Sequence, residues 1–229
     1  AGRRTLAAAP SAAAPPAPRL RQLLPSELSK AQRELYNSIA EGAKDANGKP
    51  LKTRVDPQTG SLLGPFNAML LSPQIGQDLV RMANTLRFGN LSISQRVAEV
   101  VILYVVREHG AEYPFWSHIK IGKAAGVSEE TIRALQRREK PLSLQADEAA
   151  ALALAQELLA GRGYETVSEA TYVAALRELG ERGIFEVVSI TGFYTMLGRI
   201  VNTFRVPVPP GEERPFKDDA DSDVGKSRL

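Results

Sequence analysis

The sequence predicts an all-α protein, and three observations carry this prediction. Apolar residues recur three and four positions apart along most of the 229-residue chain, as they do on one face of a helix. Typical helix start and stop residues separate these segments, and segments of alternating polarity typical of strands are nearly absent. Two stretches, VAEVVILYVV and FEVVSITGFYTMLGRIV, are apolar on most sides, which is expected of helices buried inside a bundle.

The first third of the chain contains three predicted helices and one long loop. Pro25-Ser26-Glu27 opens an amphipathic helix to about residue 43. Residues 44–64 are rich in glycine and proline and predict a loop, and loops of this length inside compact domains are often functional. A short helix follows at about 65–71. Ser72-Pro73 then combines an N-cap with a proline at the first helical position, so a helix begins here and ends at Gly89.

The centre of the chain predicts two successive helices. Ser92 and Gln95 have the spacing of a capping box before the apolar segment 95–108. The β-branched residues of that segment also permit a strand, but the capping box and the length favour a buried helix. His109-Gly110 interrupts it, and a second helix covers about 111–125. Further helices are predicted at about 128–138, 145–160, 168–179 and 183–204.

Composition excludes several classes of function. The chain has no cysteine, so it has no disulfide, no thiolate nucleophile and no cysteine-based zinc or iron–sulfur site. The 29 basic and 26 acidic residues are interspersed and leave a net charge of only +3, so no nucleic-acid partner is predicted. The two histidines lie nine residues apart, which is not a metal signature. No uninterrupted apolar run approaches the roughly 18 residues that span a bilayer, so no membrane association is predicted.

The two ends differ in composition from the middle of the chain. Residues 1–19 form an Ala/Pro-rich segment that predicts a disordered tail, and residues 209–229 form a polar tail with an acidic stretch. Arg3-Arg4 is also compatible with the remnant of a twin-arginine export signal, although the proline-broken alanine run is a poor apolar core for one. A cytoplasmic protein is therefore predicted, with export as the alternative.

The best candidates for chemistry are Glu99 and His118. Glu99 lies in the most apolar segment, where a carboxylate must be paired or protonated. If the helices before and after Gly110 fold back on each other, the two side chains face each other. A carboxylate beside an imidazole selects its tautomer and suits it for general acid–base catalysis near neutral pH. The alternative is a buried hydrogen bond that only joins two helices.

Other side chains permit two interpretations each. Arg87 ends a helix and either binds a substrate carboxylate or pairs with a buried glutamate. The aromatic residues Tyr113, Phe115 and Trp116 either line a small pocket or belong to the core or an oligomer interface. Tyr194 and Asn202 lie on nearly the same face of the last helix and either line a pocket or satisfy other polar groups.

Several short pieces between residues 64 and 135 together resemble the carboxymuconolactone decarboxylase-like family. They are Pro65-Phe66-Asn67, Ser72-Pro73, Leu86-Arg87-Phe88, Glu99, Ala111-Glu112-Tyr113, Trp116, His118 and Gly126. The segment 185–204 resembles the closing helix of the longer members. The resemblance covers most of residues 20–208, which we therefore take as one helical domain of this type.

The resemblance implies an AhpD-like helical bundle with a central buried hairpin, and a homo-oligomer, usually a trimer or hexamer. The best-known activity is the cofactor-free decarboxylation of a small carboxylated lactone. The AhpD branch uses a C-x-x-C motif with a Glu and a His as proton relay. Glu99 and His118 match the relay residues, whereas the two cysteine positions fall on Ala111 and Pro114.

Three hypotheses follow from these residues and the resemblance. The first is a cofactor-independent lyase acting on a small carboxylated or lactone substrate: His118 transfers a proton, Glu99 orients it, and Arg87 holds a carboxylate. The pocket walls would be Phe66, Tyr113, Trp116 and Tyr194. The second is a non-catalytic helical oligomer that binds a small molecule or partner. The third, a thiol peroxidase, is expected only as a family label, because the reaction needs a cysteine.

Overall fold

The computed structural model describes residues 16–42, 54–161, 163–164 and 166–216. In these residues the protein contains eight α-helices, a 3-10 turn at Pro25–Glu27 and a single isolated β-bridge between Val55 and Leu62, so the all-α prediction is confirmed. The helices are α1 (Lys30–Gly42), α2 (Pro65–Met69), α3 (Pro73–Phe88), α4 (Gln95–Glu108), α5 (Glu112–Ala124), α6 (Glu129–Gln136), α7 (Ala146–Ala160) and α8 (Glu169–Phe204).

The centre of the fold is the helical hairpin of α4 and α5. Helix α4 packs against α5, α6, α7 and α8, and ten of its residues are buried. Gly110 makes the turn with φ +60°, a conformation that a residue without Cβ adopts at no steric cost. The Ala111 amide then donates to the Val106 carbonyl at 2.9 Å, which fixes where α5 begins. The predicted central hairpin is thus present, and it places one face of α5 against α4.

The start of α4 differs from the predicted capping box. Ser94 is the N-cap residue, and its hydroxyl accepts from the Val97 amide at 3.2 Å. Ser92 lies two residues too early to cap and instead contacts α8. There its amide and hydroxyl donate to the buried Glu186 carboxylate at 2.8 and 2.7 Å, and the Ile93 amide donates to the same oxygen at 3.1 Å. The capping prediction was therefore wrong because Ser92 serves a tertiary contact.

The last two predicted helices form one 36-residue element, α8, with a kink at Gly180. Gly180 has φ +70° and no atom within 4 Å of an added Cβ, so the kink arises from its backbone freedom. By length and hydropathy alone α8 is long and apolar enough to cross a membrane, which the sequence analysis did not predict. Half of that apolar stretch is buried inside the protein, as in the core helix of a bundle.

The chain after α8 returns across the hairpin. Phe216 is 7% exposed, packs edge-on against Phe115 at 4.9 Å, and lies under the Arg107 guanidinium at 4.2 Å. Arg214 donates to both carboxylate oxygens of Glu112 at 2.9 Å. Arg214 and Phe216, which the sequence analysis assigned to the polar tail of residues 209–229, therefore contact the bundle. Residues 1–15 and 217–229 of the two predicted tails lie outside the described residues.

Candidate functional site

A buried chain of three side chains connects α4, α5 and α8. Glu99 Oε2 lies 2.6 Å from His118 Nδ1, and His118 Nε2 lies 3.2 Å from the Tyr194 hydroxyl. Because an ionised carboxylate only accepts, Nδ1 donates to Glu99. The Nε2 of a neutral imidazole then accepts from the Tyr194 hydroxyl, whereas in an imidazolium Nε2 donates to the Tyr194 oxygen. The predicted contact between Glu99 and His118 is confirmed, and Tyr194 joins it as a third member.

The fold explains why these three groups meet. Glu99 lies in the second turn of α4, on the side that faces α5 across the Gly110 turn. His118 lies in the middle of α5, so the hairpin places the imidazole beside the carboxylate. Helix α8 packs on α4 and brings the Tyr194 ring edge-on to the imidazole, with ring centroids 5.2 Å apart. These hydrogen bonds therefore depend on three helices rather than on a local motif.

These three side chains are almost completely shielded from solvent. Glu99 is 0% exposed, Tyr194 1% and His118 4%. Glu99 Oε1 has no hydrogen-bond partner among the described residues. A carboxylate buried in this way is costly unless its charge is balanced, and the imidazole is the group placed to balance it. Glu99 itself lies behind His118 and does not reach the cavity described next.

A cavity of about 280 Å³ lies on the other side of His118 and Tyr194. Its wall is mostly apolar and comes from α2, α3, α5, α8 and the loop before α2. Exposed Lys120 belongs to the lining, so the cavity reaches the protein surface beside α5. Its lining includes all the predicted site residues except Glu99, namely Phe66, Arg87, Tyr113, Trp116, His118 and Tyr194.

Two arginines share this cavity, and the sequence analysis identified only one of them. Arg54 is 6% exposed and its guanidinium lies over the Phe66 ring at 4.8 Å. Burial, reinforced by the charge of Arg87, lowers the pKa of Arg54 to about 10. The only sequence signal for Arg54 was its place in a long loop, because no local pattern shows that a loop residue turns into the core.

Neither guanidinium meets a carboxylate within the described part of the chain. The ion pairs formed there involve other residues, and Arg87 Nε is buried without a hydrogen-bond partner. Of the two interpretations of Arg87, pairing with a buried glutamate is therefore not seen among these residues. The cavity lining instead contains the two arginines and, at its exposed edge, Lys120, and no described acidic residue.

The aromatic wall is held by contacts on both sides. The Tyr113 and Trp116 rings lie 5.6 Å apart, and Trp116 Nε1 donates to Glu212 at 3.0 Å. Burial raises the pKa of Tyr113 to about 12, so its hydroxyl is a neutral donor at neutral pH. Burial also raises the pKa of Tyr194, while the charges of Arg87 and Arg54 oppose that rise.

Three other polar or aromatic candidates lie away from the cavity. Phe115 packs with Phe216 in the core. Asn202 donates to the His109 carbonyl at 2.6 Å, so it joins α8 to the hairpin turn rather than lining a pocket. His109 lies at the end of α4 with its Nε2 3.2 Å from Thr195 Oγ1. The described residues contain no group of three or more His, Asp or Glu side chains arranged to hold a metal ion.

The sequence matches no protein-family model, and no curated protein matches it significantly. Solved structures do match. An alkylhydroperoxidase AhpD core, an uncharacterized peroxidase-related protein from Ralstonia eutropha JMP134, has 15% identity and a TM-score of 0.66, covering 86% of this chain and 95% of its own. A putative antioxidant defence protein AhpD of unknown function from Agrobacterium tumefaciens has 19% identity and a TM-score of 0.53, covering 62% and 96%.

A third match is an uncharacterized peroxidase-related protein from Silicibacter sp. TM1040, with 18% identity and a TM-score of 0.55, covering 63% of this chain and 75% of its own. The protein therefore has the AhpD-like fold, as the resemblance implied. At these identities the likeness concerns the fold and does not extend to an activity.

Proposed function

We propose that this protein is a cofactor-independent acid–base enzyme of the decarboxylase or related lyase type, acting on a small carboxylated or lactone substrate. One observation carries the proposal: the histidine of a buried glutamate–histidine pair lines a cavity that also contains two arginines without a carboxylate partner among the described residues. Perturbed or buried titratable groups in a pocket of this kind are the usual signature of an active site.

The arginines supply the reason for a carboxylate substrate. A guanidinium taken out of water without a counter-ion costs several kcal/mol as an order of magnitude, and a bound carboxylate would offset that cost. Arg54 and Arg87 each offer planar donors that match a carboxylate bidentately. The apolar remainder of the wall, including Phe66 and Trp116, suits the carbon skeleton of a small cyclic substrate.

The glutamate–histidine pair supplies the reason for proton transfer. Glu99 holds the imidazole in the Nδ1–H tautomer and stabilises the imidazolium that forms when His118 gains a proton. Loss of carbon dioxide from a carboxylate leaves an electron pair on carbon that must be protonated, and this pair is placed to provide that proton. The mostly apolar wall of the cavity would limit the contact of the carbanion with water.

Peroxide reduction by a thiol cycle is not part of the proposal, although the structural neighbours are described as AhpD-like or peroxidase-related proteins. That cycle begins with a cysteine thiolate, and this chain has no cysteine. Ala111 and Pro114, at the positions matching the two cysteines, cannot replace it. We expect no dithiothreitol-dependent peroxide consumption by the pure protein.

The alternative is a ligand-binding helical oligomer without catalysis. One observation favours it: both ring nitrogens of His118 already have protein partners, as in a side chain that only joins helices. In that case Arg54 and Arg87 would still bind an anion in the cavity, but the bound molecule would remain unchanged.

The test is a panel of small β-keto acids and carboxylated lactones incubated with the protein in D₂O, with carbon dioxide release and carbon deuteration followed by NMR. We expect turnover of at least one compound, and a loss of about 10²–10⁴-fold in His118→Gln, the range typical of a general acid or base. His109→Gln is the matched control, because it removes the other histidine outside the cavity. An unchanged rate in His118→Gln would refute the mechanism, and binding without any turnover would favour the alternative.

A further inference from the structure

We propose that the hydroxyl of Tyr194, rather than a ring nitrogen of His118, is the atom that exchanges a proton with the substrate. The inference rests on the proposed function and specifies its reacting group. His118 then acts through Tyr194, and the proton path runs from Glu99 through His118 and Tyr194 to the cavity.

The hydrogen bonds of His118 are the first argument. An imidazole has two ring nitrogens, and here Glu99 occupies one at 2.6 Å and Tyr194 the other at 3.2 Å. A substrate can therefore reach a nitrogen of His118 only by displacing Tyr194. That displacement would move a side chain that is 1% exposed and among the largest fully buried ones of the protein.

The spare capacity of the Tyr194 hydroxyl is the second argument. A phenol has one donor hydrogen and two acceptor lone pairs, and this one makes a single hydrogen bond among the described residues, the one to His118. The Tyr194 side chain lines the cavity together with Arg54 and Arg87. An anionic substrate held by the guanidinium groups would thus lie in the same cavity as an oxygen that can both give and receive a proton.

The rigidity and the electrostatic surroundings of Tyr194 are the third argument. Its ring lies edge-on to His118 at 5.2 Å and to Phe193 at 5.3 Å, so its orientation is defined by packing. Burial raises the pKa of Tyr194, which keeps the resting phenol protonated, while Arg87 and Arg54 favour the phenolate. The phenolate is therefore a short-lived state that exists only while a proton passes between His118 and the substrate.

The proposed step conserves atoms and charge. The bond between the substrate carbon and its carboxylate breaks, carbon dioxide leaves, and the electron pair stays on carbon. The O–H proton of Tyr194 forms the new C–H bond, and the Tyr194 oxygen takes the Nε2 proton of the His118 imidazolium. Neutral His118 remains with its Nδ1–H directed at Glu99, and one proton from solvent restores the imidazolium. The net change is a carboxylate plus a proton giving R–H and carbon dioxide.

The kinetic test compares Tyr194→Phe with His118→Gln on the same substrate panel. Tyr194→Phe keeps the ring and removes only the hydroxyl, so we expect a loss of at least about 100-fold in deuterium incorporation. The double variant should lose little more than the worse single variant, because members of one relay act as a unit. Tyr104→Phe, on α4 and outside the cavity lining, is the matched control. A wild-type rate in Tyr194→Phe would overturn the inference.

An NMR experiment tests the relay without a substrate. The chain has only two histidines, so ¹⁵N-histidine labelling of a His109→Gln background leaves the signals of His118 alone. We expect Tyr194→Phe to shift the Nε2 resonance and to leave Nδ1 bound to Glu99. An Nε2 resonance that Tyr194→Phe does not move would overturn the relay. Absence of wild-type turnover on the panel would instead contradict the proposed function, so the two failures are distinguishable.

Discussion

Tyr113 reaches the cavity wall because residue 64 has no side chain. A Cβ at Gly64 would lie 2.3 Å from two carbons of the Tyr113 ring, and the backbone there has φ +63°, which side-chain-bearing residues rarely adopt. Arg54 likewise belongs to the site because of its position in the fold. It is buried beside Phe66, and its neighbours in the sequence do not predict this. The residue at a single position can thus determine which side chains line the cavity.

We therefore expect Gly64→Ala to lower the free energy of unfolding by about 1–3 kcal/mol, the usual cost of overpacking or of a strained backbone, and to displace the Tyr113 ring. Urea unfolding measures the stability, and the tyrosine fluorescence or NMR signals report the ring. Gly163→Ala is the control: its φ of +90° also strains a side-chain-bearing residue, but no described atom lies within 4 Å of an added Cβ, so the loss of stability should be smaller, about 1 kcal/mol. Equal stability of Gly64→Ala and the wild type would contradict the close contact.

At the scale of the element, two contacts of His109 attach the turn between α4 and α5 to α8, one through its backbone and one through its side chain. The His109 carbonyl accepts from Asn202 at 2.6 Å, and its ring nitrogen lies 3.2 Å from Thr195. Gly198 of α8 packs directly against His109, because a Cβ added to Gly198 would lie 3.2 Å from the His109 side chain. The absence of a side chain at residue 198 therefore allows α8 to come close to the turn. Because the hairpin positions Glu99 and His118, the stability of this turn is a condition for the site.

We expect His109, which lies in this turn, to make the free energy of unfolding depend on pH. Burial, then the charge of Arg199, lowers the pKa of His109, while Glu108 opposes the shift. The unfolded chain, with a histidine pKa of about 6.5, then binds more protons than the folded protein, so the free energy of unfolding falls as the pH drops from about 6.5 through the folded pKa.

We expect this fall to be smaller in His109→Gln than in the wild type. Urea unfolding at pH 7.5 and pH 5.5 measures it, and comparing the two proteins cancels the contribution of the other titrating groups. A fall of equal size in both proteins would contradict the effect of burial on His109.

At the scale of the whole molecule, α8 leaves an apolar stripe uncovered on the single chain. Phe185, Val188 and Met196 are 72%, 40% and 39% exposed and lie on one face together with the exposed Gly192. Helix α3 adds Ile75, Met82 and Phe88, all exposed. Surfaces of this kind on a folded chain commonly mark an interface, and we propose that further copies of the chain cover them, as the expected trimer or hexamer requires.

We expect light scattering of the pure protein at micromolar concentration to give the mass of an oligomer, and Phe185→Glu to reduce it, because a charge in a buried apolar contact is unfavourable. Tyr164→Glu is the control, since Tyr164 is fully exposed and lies in the loop between α7 and α8 rather than in α3 or α8. A monomeric wild type, or an unchanged mass for Phe185→Glu, would contradict the proposal.

The helices could be predicted from the sequence because each depends on local patterns, whereas the central hairpin was implied by the family resemblance. The Glu99–His118 contact was predicted on the condition that this hairpin forms. The Gly110 break marks where the chain reverses, but α4 is buried on most sides, so periodicity alone does not define which of its faces meets α5. The sequence alone also excluded thiol chemistry, because a chain without cysteine has no thiol in any fold.

Only the tertiary structure decided which distant groups converge. Ser92 contacts Glu186 instead of capping α4, Arg54 turns from a loop into the cavity, and Tyr194, besides lining the cavity, forms a hydrogen bond with His118. Their partners lie 94 residues away for Ser92 and 76 for Tyr194, so no local pattern contains them. Packing of α8 against the hairpin creates these contacts, and the geometry of a site formed by several elements therefore emerges only when the helices are placed together.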